Sequence, residues 1–267
     1  MNVLHVYKRS FPESIGGVEN FINTLCKSVS SYGVTNNVLS LAQKPSKNKI
    51  LLNGYQVYQA KENINIGSTG FSFDAFFKFH KLAEQADIIH HHYPHPFGDI
   101  LQIFSFIRKP YIVTYHSDII RQKNLELIYT PFKNYFLKNC HKIIATSPNY
   151  YATSQTLKKY SNKVQILPIG ISEEDYFNYD PKRVEFWREK LGSNFFLFIG
   201  ANRYYKGLKI ALKAIKNTKI ELVLAGIMGI DKELIELAKS YSLSNVKFLG
   251  EISHEDKCAL LQLCFGF

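Results

Sequence analysis

The chain has 267 residues, 46% apolar and 21% charged, enough to bury one large globular core or two modest ones. No apolar run approaches the ~18–20 residues of a membrane span. The four cysteines (Cys26, Cys140, Cys258, Cys264) are scattered, with no C-x-x-C pair, which excludes a disulfide frame or zinc site and suits free thiols in a reducing, cytoplasmic compartment.

Apolar, β-branched runs predict strands over 3–7, 34–41, 56–58, 88–91, 111–115, 142–145 and 164–167. The first follows directly on the start of the chain and shows no cleavable-signal pattern. Helical patterns over 17–31, 72–85, 99–107, 118–137 and 149–159 separate most of them. Strands alternating with helices predict crossover units and a parallel, doubly wound α/β sheet. Within 72–85, Phe73, Phe76 and Phe77 recur at i, i+3 and i+4 and are expected to seat that helix on the sheet.

The net charge of +11 is lopsided: residues 1–170 carry 19 Lys and Arg against 9 Asp and Glu, residues 171–267 carry 14 against 13. Arg121, Lys123, Lys133, Lys138 and Lys142 alternate with aromatics in the first part. Such a face is either simply solvated or attracts anionic lipid headgroups or an acidic acceptor. No helix-turn-helix, zinc-finger or ribonucleoprotein motif points to nucleic acid.

Pro168-Ile169-Gly170-Ile171, followed by the acidic Glu173-Glu174-Asp175, marks a crossing between a domain of residues 1–172 and one of residues 173–267. The alternation then restarts: helix 181–190, strand 195–199, helix 207–216, strand 220–225, helix 231–241, strand 246–249, helix 254–263. Phe265-Gly266-Phe267 reads as the opening of a further strand. Three strands make only part of a doubly wound domain, so the second domain is expected to be incomplete.

The most informative stretch is Phe198-Ile199-Gly200-Ala201-Asn202-Arg203-Tyr204-Tyr205-Lys206-Gly207-Leu208. A strand here delivers a loop with two cations onto a helix start, where unpaired N–H groups and the positive dipole end attract phosphate. Two cations suggest a diphosphate. Near the amino terminus, Ser14-Ile15-Gly16-Gly17-Val18-Glu19 links the first strand to a helix. It is either a tight turn or a place where backbone approaches a ligand, and it is not the G-x-G-x-x-G dinucleotide fingerprint. Val113-Thr114-Tyr115-His116-Ser117-Asp118 sits at the carboxyl end of a strand, where open α/β sheets bind ligands. His116 is expected to contact substrate in preference to capping a helix. No nucleophile-elbow motif supports a hydrolase. In His90-His91-His92-Tyr93-Pro94-His95 only His90 and His92 share a strand face, and no acidic or cysteine ligand lies near in sequence. These histidines are expected to be structural or substrate-lining, with no metal site.

Four segments together resemble the family 4 retaining glycosyltransferases of the GT-B fold: GGVENFINTLCKSVSSYG; ADIIHHHYPHP with KPYIVTYHSDIIRQK; KIIATSPNY with VQILPIGIS; and FIGANRYYKGLKIALKAI with VKFLGEISHEDKCALL. The likeness runs in order over essentially the whole chain. It implies two Rossmann-like domains across a cleft and metal-independent, retaining transfer of a hexose from a nucleotide diphosphate-sugar. By the resemblance, Gly16 and Gly17 approach the donor diphosphate or sugar, His116 contacts the transferring sugar, Lys206 neutralises the leaving diphosphate, and backbone at Glu251 and Ile252 meets the nucleobase. The TYHSDIIRQK and YYKGL segments are similar to those of bacterial O-antigen mannosyltransferases. That implies GDP-mannose as donor, a lipid-linked glycan acceptor, and work at the inner face of the cytoplasmic membrane.

Two positions depart from the family pattern. Ala201 stands where the family commonly has arginine, and Arg203, two residues on, is the expected replacement. The family's E-x₇-E motif has no counterpart, since no two glutamates here are eight positions apart. The C-terminal part of the second domain is therefore expected to be missing. A non-catalytic remnant, or a sugar-nucleotide epimerase of the same fold, is the alternative.

Overall fold

The computed structural model describes residues 1–66, 69–119, 123–171, 179–226 and 232–267 and, for 123–126, the backbone only. Its contacts divide into two units, Met1–Gly170 and Ile171–Phe267.

In the first unit the strands are β1 (Asn2–Val6), β2 (Thr35–Ala42), β3 (Ile50–Leu52), β4 (Tyr55–Lys61), β5 (Ile64–Ile66), β6 (Thr69–Phe71), β7 (Ile88–Tyr93), β8 (Tyr111–Tyr115), β9 (Lys142–Ala145) and β10 (Val164–Ile166). Eight of them form one sheet in the order β10-β9-β8-β7-β1-β2-β4-β3, parallel throughout except that β3 runs antiparallel to β4. The chain leaves β1 toward β2 and β4, then returns to build β7 to β10 on the other side of β1. The strand order therefore reverses between β1 and β7, the position where doubly wound sheets open a crevice at their carboxyl ends.

Alternation along the strands sends residues to two helical layers. Leu4, Leu39, Ile89 and Val113 meet α2 (Phe73–Gln85), α3 (Pro96–Phe104) and α4 (Lys123–Asn139) through Phe79, Phe97 and Phe136. On the other face Val38 and Val57 meet Ile22 and Cys26 of α1 (Gly17–Ser30). Two short helices follow β9, α5 (Pro148–Thr153) and α6 (Gln155–Lys159).

The second unit repeats the scheme with α7 (Pro181–Leu191), β11 (Phe195–Ile199), α8 (Leu208–Ala214), β12 (Glu221–Ala225), α9 (Lys232–Ser240), β13 (Val246–Gly250) and α10 (His254–Leu263). Its parallel sheet runs β11-β12-β13. Leu191 of α7 and Leu260 and Leu263 of α10 cover one face, while Leu212 of α8 and Leu234 of α9 cover the other. Asp256 ties α7 to α10. It closes a capping box with Ser253 and accepts from Arg183 Nε at 2.6 Å and Trp187 Nε1 at 2.7 Å. The segment at Phe265-Gly266-Phe267 is strand-like as expected: Gly266 bridges Phe196 on the edge of β11 away from β12.

Several expectations are corrected. Phe73 and Phe77 are 72% and 79% exposed and do not seat α2; Phe76 and the fully buried Phe79 do, because the buried stripe of this helix runs through Ala75, Phe79, Leu82 and Ala83. The predicted helix 149–159 is two helices, since Ser154 ends α5 and its side chain caps α6 by accepting from Leu157 N. The predicted helix 99–107 starts at Pro96, a residue whose fixed φ and missing N–H suit a first turn, and ends before Phe106, which has φ 57°. The three-residue strands β3, β5 and β6 carry too little periodicity to be foreseen. Lys133 is buried rather than part of a basic surface, and Arg121, the Lys123 side chain and Glu173-Glu174-Asp175 lie outside the described residues.

Candidate functional site

In the first unit the residues of interest gather at the carboxyl ends of β1, β7 and β8, beside the reversal of strand order. His116 follows β8 directly, its N–H donating to Tyr93 O at 3.0 Å. Its ring stacks at 23° on His92, with Nε2 3.3 Å from His92 Nδ1. His92 Nε2 lies 3.2 Å from His5 Nδ1, and His5 Nε2 lies 3.2 Å from Asn36 Oδ1. Phe21, one turn into α1, presents its edge to both His92 and His116. The glycine turn that opens α1 and His116 therefore belong to one corner of this unit. Burial lowers the His116 pKa to about 4, so the ring is neutral at neutral pH.

Gly16 is the N-cap of α1 and extended (φ −136°, ψ 179°). A Cβ there would strike the carboxylate of Glu19, which folds back over the first turn and accepts from Ser14 Oγ at 3.3 Å. Around Gly17 a Cβ would meet nothing. The helix start already holds a carboxylate, so its open side at Gly17 suits neutral hydroxyls better than a second anion.

The other histidines divide by strand parity. His90 shares the His92 face and bonds Thr114 Oγ1 at 2.7 Å. His91 points the other way, bonds Gln102 and lies edge-on to Phe136, a packing role. Asp118, grouped in sequence with His116, instead accepts from the hydroxyls of Tyr115, Tyr150 and Ser154 and braces β8 against α5 and the start of α6.

In the second unit the feature is the carboxyl edge of the sheet. Every strand there ends in a glycine of positive φ: Gly200 (139°), Gly226 (73°) and Gly250 (70°). A Cβ on Gly226 would come 3.1 Å from Gly200 N, so two strand ends meet backbone to backbone. The space a Cβ on Gly200 would need is taken by Lys206 Nζ, which also lies 5.4 Å from the centroid of the Phe198 ring. Tyr204–Lys206 form a 3-10 turn that ends at Gly207 in the left-handed region (φ 70°, ψ 20°), and α8 starts there. This turn is what folds Lys206 back over the strand end. Arg203 immediately precedes it and is exposed, and neither cation has an acidic partner among the described residues. Glu251 is exposed, whereas the Ile252 side chain packs into the core, leaving the backbone at 251–252 as the accessible part.

Gly226 and Gly250 were missed from sequence. The signal was present as the recurrence of FIG, LAG and FLG, each a strand ending in glycine, and shows only when the three strand ends are set side by side.

An eight-stranded, mostly parallel sheet, a second doubly wound unit and two cations at a glycine-rimmed sheet edge define an α/β protein of the glycosyltransferase type. The chain belongs to glycosyltransferase family 4: that family's model matches residues 15–175, and a model described as glycosyl transferases group 1 matches residues 181–265. It is 42% identical over 266 residues to the D-rhamnosyltransferase WbpZ of Pseudomonas aeruginosa, covering 100% of this chain and 70% of that protein. It is 40% identical over 266 residues to the O-antigen chain mannosyltransferase C of Escherichia coli, covering 100% of this chain and 71% of that one. Among solved structures, sucrose-phosphate synthase from Thermosynechococcus elongatus superposes with a TM-score of 0.77 at 16% identity, over 98% of this chain and 74% of that one. This last likeness is one of fold.

Proposed function

We propose that this chain moves a sugar of mannose configuration from a nucleotide diphosphate to a lipid-linked or polysaccharide acceptor of the O-antigen kind, with retention and without a metal. The observation that carries the reading is the Lys206 ammonium held over the Gly200 strand end, with Arg203 at the start of the same turn and no acidic partner for either among the described residues. Glycosyl transfer builds negative charge on the departing diphosphate as the sugar becomes oxocarbenium-like, and a prepositioned cation lowers that barrier. In this reading Gly200, Gly226 and Gly250 let the diphosphate and nucleobase approach backbone, with the base against residues 251–252. His116 and Gly17 face the sugar. The two curated relatives support the choice of sugar, since one is named for mannose and the other for rhamnose, its 6-deoxy counterpart.

An apolar belt on the first unit supports a lipid-linked acceptor. Ile64, Ile66, Phe73 and Phe76 line a hollow of about 270 Å³, and Phe76, Phe77 and Phe104 line a second one together with Lys81 and Glu84. Ile64, Ile66, Phe73, Phe77 and Phe104 are all exposed. No helix among the described residues is long and apolar enough to cross a membrane. In this reading the belt rests on the inner face of the cytoplasmic membrane through its exposed apolar side chains.

Radiolabelled transfer from a panel of GDP- and UDP-sugars to membrane extracts, with and without EDTA, tests the proposal. The expected result is EDTA-resistant label in the lipid fraction from a mannose-configured donor. Conversion of the donor sugar without any acceptor would mark an epimerase instead, and absence of donor binding would mark a non-catalytic remnant.

A further inference from the structure

The hydrogen bonds around His116 can be given a direction, and the direction follows from Asn36. Its Nδ2 faces two backbone carbonyls, Cys26 O at 3.2 Å and Val34 O at 3.3 Å, and carbonyls only accept. The amide orientation is thereby set, and Oδ1 is the atom facing His5 Nε2. An amide oxygen also only accepts, so His5 carries its proton on Nε2. His5 is fully buried and its pKa is lowered to about 4 by that burial, partly offset by the bond to Asn36, so the ring is neutral and Nδ1 is a bare acceptor. His92 Nε2, 3.2 Å away, must then donate. His92 is buried and held well below the usual histidine range, again by burial first and neighbouring histidines second, so its own Nδ1 is an acceptor. His116 Nε2, 3.3 Å from that atom, must donate in turn. The remaining lone pair of the series is at His116 Nδ1, which has no partner among the described residues.

We propose that Asn36, His5 and His92 act as positioning residues that lock His116 in its Nε2–H tautomer, so that Nδ1 offers an acceptor to a sugar hydroxyl rather than a donor to an anion. The inference rests on the reading that His116 faces the donor sugar. The relay crosses four neighbouring elements, from β2 through β1 and β7 to the residue after β8, and so passes through the reversal of strand order. A metal reading of His5, His90 and His92, whose ligand atoms lie within 4.8 Å of one another, fits less well. Both nitrogens of His5 and of His92 are engaged in the relay, so an ion there would have to displace hydrogen bonds that these rings already make.

The test is long-range proton–nitrogen NMR of the full chain labelled with ¹⁵N in histidine, without ligand and at neutral pH. The expected spectrum shows His116 with a protonated Nε2 and an acceptor-type Nδ1. In His92→Phe, which removes the last link, His116 is expected to shift to a mixture of tautomers while His5 keeps its proton on Nε2. Wild-type His116 with its proton on Nδ1 overturns the proposal, as does an unchanged His116 tautomer in a folded His92→Phe protein. If that variant does not fold, the wild-type assignment alone decides. Adding GDP-mannose separates the two claims: His116 signals that ignore the donor sink its placement against the sugar, while the ligand-free tautomer still judges the relay.

Discussion

Replacing Lys206 by alanine probes the proposed diphosphate grip with little risk to the fold. The side chain is exposed, and besides lying over Gly200 it meets the Phe198 ring, a contact worth about 0.5–1 kcal/mol at an exposed site. Folding stability should therefore fall by no more than about 1 kcal/mol. The loss on binding is larger, because a hydrogen bond to a charged group contributes about 1.5–3 kcal/mol. At 1.4 kcal/mol per factor of ten, that is a rise in Kd of roughly 10- to 150-fold. The Gly200→Ala substitution should act in the same direction by another route. Its Cβ would claim the place of Nζ and would also have to sit at φ 139°, which L-residues disfavour. Isothermal titration with GDP and with UDP, at low and moderate salt, reads both effects. A weaker salt dependence in Lys206→Ala is expected as well, since one screened charge has gone. A Lys206→Ala protein that binds both nucleotides as tightly as wild type would refute the reasoning.

Other perturbations test other parts of the account. Asp256→Ala removes the capping box of α10 and the acceptor for Arg183 and Trp187, and should destabilise the second unit by about 2 kcal/mol in urea titrations, with tryptophan fluorescence as the probe. Burial raises the Asp99 pKa well above 3.8, against the opposing bond from the Tyr129 hydroxyl, so the folded chain holds a proton that the unfolded chain releases above that pH. Stability from this group is full below about pH 3.8 and falls as pH rises toward the folded pKa. Asp99→Asn should accordingly be more stable than wild type at neutral pH, with the advantage vanishing on acidification; denaturant midpoints across pH check it. Phe73→Glu with Phe77→Glu should leave stability within about 0.5 kcal/mol, since both rings are exposed, yet abolish sedimentation with anionic vesicles. Unchanged sedimentation would remove the apolar belt from the membrane reading.

What could be read from the sequence follows what each signal physically measures. The long parallel strands and their helices were legible because burial on both faces makes continuous apolar runs, as in Glu221–Ala225. The turn between Gly200 and Gly207 was legible because glycine and cations cluster there locally. Phe73 and Phe77 misled because aromatic spacing identifies a face without saying whether that face meets the sheet or the solvent. The link from Asn36 to His116 spans residues 5, 36, 92 and 116. It exists only because β2, β1, β7 and β8 lie side by side, a matter of strand order that no local pattern contains. His5 and Asn36 each looked like ordinary strand residues until their neighbours were known.

The most direct measurement of the central claim is backbone amide mapping of the nucleotide site by NMR, adding GDP-mannose or UDP-glucose to the full chain. The account predicts shifts at Gly200, Arg203 to Leu208, Gly226 and Gly250 to Ile252, with smaller ones at Gly17 and His116. Saturable shifts that leave the glycine-ended strands of the second unit unmoved would contradict it.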